Sequence, residues 1–329
     1  MRQDQGNSDN MEAMRCIRYG KDYDFRRTSL PIPEPGKKQI QIRLHAATVA
    51  SGDVVRAKMG GLLRSKSGIL GQEFAGIVTA VGGEVTRFRE GDRVFGIVST
   101  GTHATYMTIS EKAAVTTIPP AVSYEEAACY GFGANAALYF LQKRVSLQKG
   151  QQVLINGASG AVGSFAVQYA KYAGAEVTAA CSTRNVERVR ALGADYVMDY
   201  TKEDFRELSS TYDLVFQAAG HLPYRTVKPV LKKKGVYATT YLNGGLVIQS
   251  IQSRLFSSKR VLCGVTFPTL HDVQVVREML EQGILKPLID RTYSLDQLGE
   301  AFHYVEQGHK TGTVMISFPH GQSANPLLT

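Results

Sequence analysis

The sequence predicts an α/β protein: a doubly wound domain on a parallel sheet, accompanied by a smaller, turn-rich β-lobe. Three observations carry that prediction. From Met14 to about Ser110 the chain reads as short strands punctuated by glycine. After Gly150 short apolar strands alternate with amphipathic helices. Within Val153–Gly163 a strand, a turn of small residues and a helix follow one another directly.

The β-lobe rests on local pattern. Ile40-Gln41-Ile42-Arg43-Leu44 alternates apolar and polar residues, as a half-buried strand does. Gly71–Val78, Val81-Gly82-Gly83 and Gly91–Gly96 add strands closed by glycine turns. From Tyr124 to Leu147 helix formers take over. The strands expected next are Gln152–Ile155, Glu176–Ala180, Tyr196–Met198, Asp213–Phe216, Val236–Thr239 and Val261–Val265. Such alternation means a parallel sheet covered on both faces. The helix after Gly160 carries Val162, Phe165, Ala166, Tyr169, Ala170 and Ala173 at the spacing of a helix packed on a sheet. The next has Val186, Val189 and Leu192 inward and stops at Gly193. Beyond Phe267, helical patterns at Val273–Gln282 and Leu295–Gln307 flank an extended Leu285–Leu295, and Thr313–Phe318 ends the series as a strand that can return to the first lobe. The expected boundaries are a flexible segment at 1–13, a first lobe at 14–125, a nucleotide-binding domain at 126–266 and a C-terminal return at 267–329.

Composition narrows the function classes. The 329 residues, 43% hydrophobic and 20% charged, suit one large globular domain or two ordinary ones. No apolar run is long enough to span a bilayer, and Met1–Asn10 has no signal-like apolar segment, so a cytoplasmic protein is expected, its fold starting at Met11 or Met14. Cys16, Cys129, Cys181 and Cys263 lie far apart, as free thiols of a reducing compartment do. The formal charge of +9 is scattered, apart from Lys232-Lys233-Lys234 beside a glycine, which reads as a solvated turn. Nucleic acid is therefore not the expected partner; a basic cleft for an anionic cofactor makes better use of the surplus.

That cofactor has a site. Ala158-Ser159-Gly160-Ala161-Val162-Gly163 sits between a strand and an amphipathic helix, the context a dinucleotide fingerprint requires. Gly160 lets the backbone approach a pyrophosphate, and Gly163 lets helix and strand pack closely. Ser159, Ala161 and Val162 place N–H groups at the helix N-terminus, where phosphate is favoured. A tight strand-to-helix turn with no ligand is the plainer alternative. An NAD site usually ends its second strand in a carboxylate. Here that strand ends in Ser182-Thr183-Arg184-Asn185, and no carboxylate follows until Glu187. Two hydroxyls and a guanidinium suit a 2′-phosphate, which favours NADPH; Arg184 as a solvated residue opening a helix is the alternative. Tyr200 is a second wall for the adenine ribose, and Ala219 joins the cofactor set.

On these motifs, with Gly71-Gln72-Glu73-Phe74-Ala75-Gly76, Gly91-Asp92-Arg93-Val94, Gly193-Ala194-Asp195 and Gly308–Gly312, the chain resembles the medium-chain dehydrogenase/reductase superfamily in its zinc-free, quinone oxidoreductase-like branch. The resemblance covers nearly everything after Met14. It implies a GroES-like β-rich catalytic domain built from both ends of the chain, a central Rossmann domain and a homodimer. It also implies that Asp53, Asn135, Tyr200 and Lys310 fall near cofactor-contacting positions, although Asn135 stands where relatives often carry threonine. Zinc-bearing relatives ligate with the cysteine of C-x-x-D and the histidine of G-H-E. The matching segments here are Ala50-Ser51-Gly52-Asp53 and Gly71-Gln72-Glu73. Alanine cannot ligate, and glutamine is a poor zinc ligand. Cys129 would be a lone third ligand, and no histidine pair has metal spacing.

Chemistry follows from that donor set. Hydride addition to an isolated ketone builds an alkoxide that zinc would stabilise. Without such ligands the charge must delocalise into the substrate, as it does in a quinone or an α,β-unsaturated carbonyl, or be held by hydrogen-bond donors. Asp53, Tyr130, Asn135 and Tyr241 are the candidate catalytic residues, with Asn243, Arg56 and Lys58 as further donors; each has a packing or surface role as its alternative. Substrate walls are expected from loops at Val55–Gly68 and Tyr241–Ser253. Two other functions fit the same cofactor: an enoyl-thioester or polyketide enoyl reductase, and a non-catalytic NADPH-binding redox sensor.

Overall fold

The computed structural model describes residues 10–60, 65–208, 211–219 and 222–318. The chain divides into two compact units: Met1–Gly131 with Thr269–Arg277 and Ile289–Thr329, and Phe132–Pro268 with Glu278–Leu288. The crossing at Gly131–Phe132 lies beyond the boundary expected at 125–126.

In the first unit, β1 (Asn10–Arg18) and β2 (Asp24–Pro31) form an antiparallel pair. The expected flexible segment at 1–13 is corrected at its end. Met11 and Ala13 are buried against Ile69 and Ala104, so residues 10–13 already belong to β1, whereas 1–9 lie outside the described residues. Next come β3 (Gln39–Val49), α1 (Ser51–Met59), β4 (Glu73–Val81), β5 (Arg93–Ile97), β6 (Tyr106–Ser110), β7 (Val115–Thr117) and α2 (Tyr124–Ala128). The alternation read at residues 40–44 is realised: Ile40, Ile42 and Leu44 are fully buried in the core with Phe74 and Val94. Each such side chain stabilises the fold by roughly 1.5–3 kcal/mol. A reciprocal cap opens α2, where Ser123 Oγ accepts from Glu126 N at 3.1 Å and Ser123 N donates to Glu126 Oε2 at 3.0 Å.

The second unit opens with α3 (Gly133–Leu138) and then alternates β8 (Gln152–Asn156), α4 (Ala161–Tyr172), β9 (Glu176–Cys181), α5 (Val186–Arg190), β10 (Tyr196–Asp199), β11 (Tyr212–Gln217), α6 (Tyr224–Val227), β12 (Leu231–Thr239), α7 (Gly244–Phe256) and β13 (Arg260–Cys263). These strands form a six-stranded sheet in the order β10-β9-β8-β11-β12-β13, every pair parallel. The order reverses between β8 and β11. That reversal is where a doubly wound sheet opens its ligand crevice. On α4 the predicted stripe is buried at Val162, Phe165, Ala166, Tyr169 and Ala170. Val189 of α5 is buried, and Gly193 takes the left-handed conformation (φ 98°) that ends the turn.

Two sequence readings need correction here. Tyr241–Ser253, read as a loop, is mostly α7: Asn243 Oδ1 accepts from Leu246 N at 2.9 Å, so this asparagine starts a helix that Gly244-Gly245 obscured. Lys232-Lys233-Lys234 lies inside β12 rather than ahead of it. The ladder jumps from Tyr212↔Leu231 to Leu214↔Val236, and Lys234 has φ 75°, so the lysines bulge out of the strand. Of the loop read at Val55–Gly68, residues 55–59 belong to α1, while 61–64 lie outside the described residues.

After α8 (Leu270–Glu281) come β14 (Ile289–Ser294), α9 (Leu298–Glu306) and β15 (Thr313–Ser317). β15 pairs antiparallel with β3, Val314 opposite Val49, and so completes the seven-stranded sheet of the first unit. Residues 319–329 of the expected return lie outside the described residues. Among the described residues no helix is long and apolar enough to cross a membrane.

Candidate functional site

The turn between β8 and α4 is shaped by what its glycines exclude. A Cβ on Gly163 would stand 2.1 Å from the carbonyl oxygen of Gly157, and one on Gly157 2.6 Å from Cβ of Ala219. Packing within the chain dictates both. Gly160 differs: its nearest neighbour within 4 Å would be Gly157 O at 3.3 Å, and its φ of −82° suits any residue. Gly160 is therefore pressed less by packing than Gly157 or Gly163. Behind it begins the 12-residue α4, without an acidic residue in its first turn. The N–H groups of that turn have no helical acceptor, which makes it an anion seat. Asn156, buried at the end of β8, donates to Gln217 Oε1 at 2.9 Å and to Ala219 O at 3.0 Å. It thereby ties the two strands that flank the crevice.

Side chains carry the site from this turn to the end of β9. The buried Asn185 donates to Ser159 Oγ at 3.1 Å and to Ser182 Oγ at 3.3 Å. Arg184 is exposed, and Tyr200 is 47% exposed at the end of the adjacent β10. The Thr183 hydroxyl does not face open space; it donates to Asp199 Oδ2 at 2.6 Å. Asp199 is 7% exposed, and the hydroxyls of Thr183 and Thr201 hold its carboxyl down at about 2. Ser159, Gly160, Ala161, Val162, Gly163, Ser182, Thr183, Arg184, Tyr200 and Ala219 thus lie along the ends of β8–β11. Sequence reasoning missed Asn156, Asn185 and Asp199. Asn185 closed the quoted Ser182–Asn185 run and could have been found. Asp199 emerges only once the register Asp199↔Cys181 is known.

Beyond β11 and β12, a cavity of about 360 Å³ is lined by Gln217, Tyr224, Arg225, Tyr237, Thr239 and Tyr241 among others. Tyr241 is 48% exposed, and Asn243, its neighbour there, is spent on the cap of α7. Asn135 is buried in α3. A cavity of about 350 Å³ in the first unit, lined by Tyr23, Phe25, Asp296 and His303 among others, holds none of the predicted site residues.

Asp53, Tyr130 and Lys310 belong to the first unit. Asp53 is fully buried; its Oδ2 accepts from Ala50 N at 2.9 Å at the start of α1, and burial pushes its carboxyl up to about 7. Tyr130 is buried, which raises its phenol further above the ordinary value. Lys310 is half-buried and donates to Gly312 O at 2.6 Å; desolvation lowers its ammonium pKa, while Glu73 and Asp290 oppose that shift. Lys58 is taken by an ion pair with Glu306. The segments that could offer a metal do not fit one. Ala50 has no donor, the Gln72 amide reaches Ser99 O at 3.4 Å, and the Cys129 thiol donates to Glu125 O and Met315 S at 3.3 and 3.4 Å. Burial pushes that thiol up, away from the thiolate zinc needs. Among the described residues no group of three His, Cys, Asp or Glu side chains is arranged to hold an ion.

The doubly wound parallel sheet of one unit and the β-rich sheet of the other are those of an oxidoreductase of the medium-chain dehydrogenase/reductase superfamily. Residues 36–120 match the alcohol dehydrogenase GroES-like domain and residues 192–316 the zinc-binding dehydrogenase family. The chain belongs to the quinone oxidoreductase-like branch of that superfamily. It is 31% identical to the chloroplastic quinone-oxidoreductase QR1 of Triphysaria versicolor, over 93% of this chain and 98% of that one. It is 29% identical to the chloroplastic NADPH-dependent alkenal/one oxidoreductase of Arabidopsis thaliana, over 88% of this chain and 74% of the relative. The structure of the quinone oxidoreductase from Coxiella burnetii superposes with a TM-score of 0.83, at 26% identity, covering 94% of this chain and all of the other.

Proposed function

We propose that the chain is an NADPH-dependent, zinc-independent reductase acting on a quinone or an α,β-unsaturated carbonyl compound. One observation carries this reading. The anion seat beside Gly160 is linked through Asn185 to a strand end that offers Ser182 and Arg184 where a carboxylate would select NAD. The amides of α4 would hold the diphosphate, Arg184 and Ser182 the 2′-phosphate, and Tyr200 the adenosine. When bound, the cofactor supplies the hydride. The chain's own part is to orient, to exclude water and to manage one proton. Since Ala50 and Gln72 provide no Lewis acid, a substrate that spreads the new charge into an enolate or phenolate fits this donor set best. Tyr241 is among the residues lining the cavity at the ends of β11 and β12, and that charge would be protonated there from its phenol or from water. The likeness to an NADPH-dependent alkenal/one oxidoreductase supports both the cofactor and the substrate class.

Assembly as a homodimer is part of the reading. β13 is an edge strand, and Val265 and Phe267 beyond it are 46% and 84% exposed. A pair of such edges covers both. Among the described residues the cysteines form no disulfide, which supports a reducing compartment, the cytoplasm in this reading.

A steady-state panel tests the function: NADPH against NADH, with 9,10-phenanthrenequinone, enones, an enoyl thioester and saturated ketones. NADPH oxidation with quinones or enones is expected. Turnover of saturated ketones alone, or cofactor binding with no turnover, would overturn it.

A further inference from the structure

We propose that Asp199 is a positioning residue that sets the preference for the phosphorylated dinucleotide, by locking together the two turns that wall the 2′-phosphate corner. The inference deepens, and rests on, the NADPH reading.

The two turns follow neighbouring strands. After β9 comes Ser182-Thr183-Arg184-Asn185; after β10 comes Tyr200-Thr201-Lys202. The parallel ladder brings their starting points together, since Asp199 pairs with Cys181 and Tyr200 N donates to Cys181 O at 3.1 Å. Beyond that point no strand bonding holds them. Asp199 supplies the missing link. Its Oδ1 accepts from Thr201 N at 3.1 Å and Thr201 Oγ1 at 2.7 Å, while its Oδ2 accepts from Thr183 Oγ1 at 2.6 Å. One oxygen serves its own turn; the other reaches across to the turn that carries Ser182 and Arg184. The two threonine hydroxyls meet at 2.8 Å, and Lys202 Nζ stands 3.6 Å from Oδ2. Both bonds to Oδ2 and Oδ1 from hydroxyls are charge-assisted, so they hold the turns more firmly than neutral contacts would.

A carboxylate beside a phosphate site has a second possible consequence, of opposite sign. If Asp199 acted mainly through its charge, it would repel the 2′-phosphate and favour NADH. As a lock it favours NADPH. Which effect wins can be read from one substitution. Asp199→Ala removes both acceptor oxygens, so the charge and the cross-link vanish together, whereas in Asp199→Asn the NH2 group can donate to Thr183 Oγ1 and keep a neutral link.

The experiment measures kcat/KM for NADPH and for NADH in the wild type, Asp199→Ala, Thr183→Val, Thr183→Ser and the double variant Asp199→Ala/Thr183→Val. Positioning predicts that Asp199→Ala and Thr183→Val each lower the NADPH/NADH ratio by about 10-fold, the scale of one charge-assisted bond. The double variant should then fall no further than either single, since both cut one link. Thr183→Ser, which keeps the hydroxyl, should restore the wild-type ratio. A ratio raised or left unchanged in Asp199→Ala overturns the proposal, as does additivity in the double variant. Circular dichroism and thermal melts report whether each variant is folded. Wild-type protein that takes no heat from NADPH in calorimetry would sink the underlying cofactor reading; a wild type that prefers NADPH while the variants keep its ratio would sink only the role of Asp199.

Discussion

The two halves of the parallel sheet share one plan and differ in what they do with it. At the ends of β8, β9 and β10, side chains stitch the turns together: Ser159 to Asn185 to Ser182, and Thr183 to Asp199 to Thr201. In the half built on β11, β12 and β13, the stretch from Leu214 to His271 contains no Asp or Glu. There α7 presents Ile248, Ile251 and Leu255 to the outside, each more than half exposed. One half is a pre-formed polar seat, whose groups are held in place before a ligand arrives. The other keeps an apolar, carboxylate-free face that no element of the chain covers among the described residues. Precise polar recognition needs ordered turns; a surface left open needs a partner or a substrate to complete it.

The sharpest way to break the first half is at its glycines, and they should not break alike. Gly163→Ala forces a Cβ to within 2.1 Å of a backbone carbonyl, so β8 and α4 must separate. A loss of about 3 kcal/mol of stability and about 100-fold in NADPH affinity is expected. Gly160→Ala meets its nearest neighbour at 3.3 Å. Its melting temperature should stay near that of the wild type, with affinity down about 10-fold because the new methyl faces the diphosphate. Calorimetric titration and thermal melts on both variants check the pair. Equal stability losses would mean that Gly160, too, serves only packing.

That contrast also shows what was legible in the sequence. The fingerprint Gly160–Gly163 was readable because its context, strand before and helix after, is local. So was the buried stripe on α4, since a helix repeats its pattern within a few residues. Asp199 and Asn156 were not, because their partners lie 16 and 61 residues away and meet only through strand order and register. α7 was missed for another reason: Gly244-Gly245 reads as a breaker, while the capping bond from Leu246 to Asn243 outweighs it. Asp53 entered the reading through resemblance and Tyr130 as a candidate donor, and the structure buries both in the first unit, where no spacing argument could have set their burial.

The second half is tested through its open face. If two copies cover it, Ile251→Glu or Leu255→Glu should weaken self-association by about 10-fold or more, because a carboxylate is driven into an apolar contact. Sedimentation equilibrium reads this directly. The folded monomer should be unaffected, as both positions are more than half exposed. An unchanged oligomer would mean that this face is kept for something other than a second copy.

The smallest effect expected separates the halves by acid. Asp199 is held at about 2, below the ordinary carboxylate value, by hydrogen bonds from Thr183 and Thr201. A carboxyl depressed in the folded state adds stability that is complete above its unfolded value and is lost as pH falls toward the folded one. The cross-link should therefore weaken between about pH 4 and pH 2, the unfolded and folded values for this group. In the same window β12, α7 and β13 have no carboxyl of their own to protonate. Hydrogen exchange, corrected for intrinsic rates, should show the amides of residues 182–185 and 200–202 losing protection first, while those of β12 and β13 keep theirs. Loss of protection in both halves together would mean that the polar seat is no independent unit, and that its order is borrowed from the sheet as a whole.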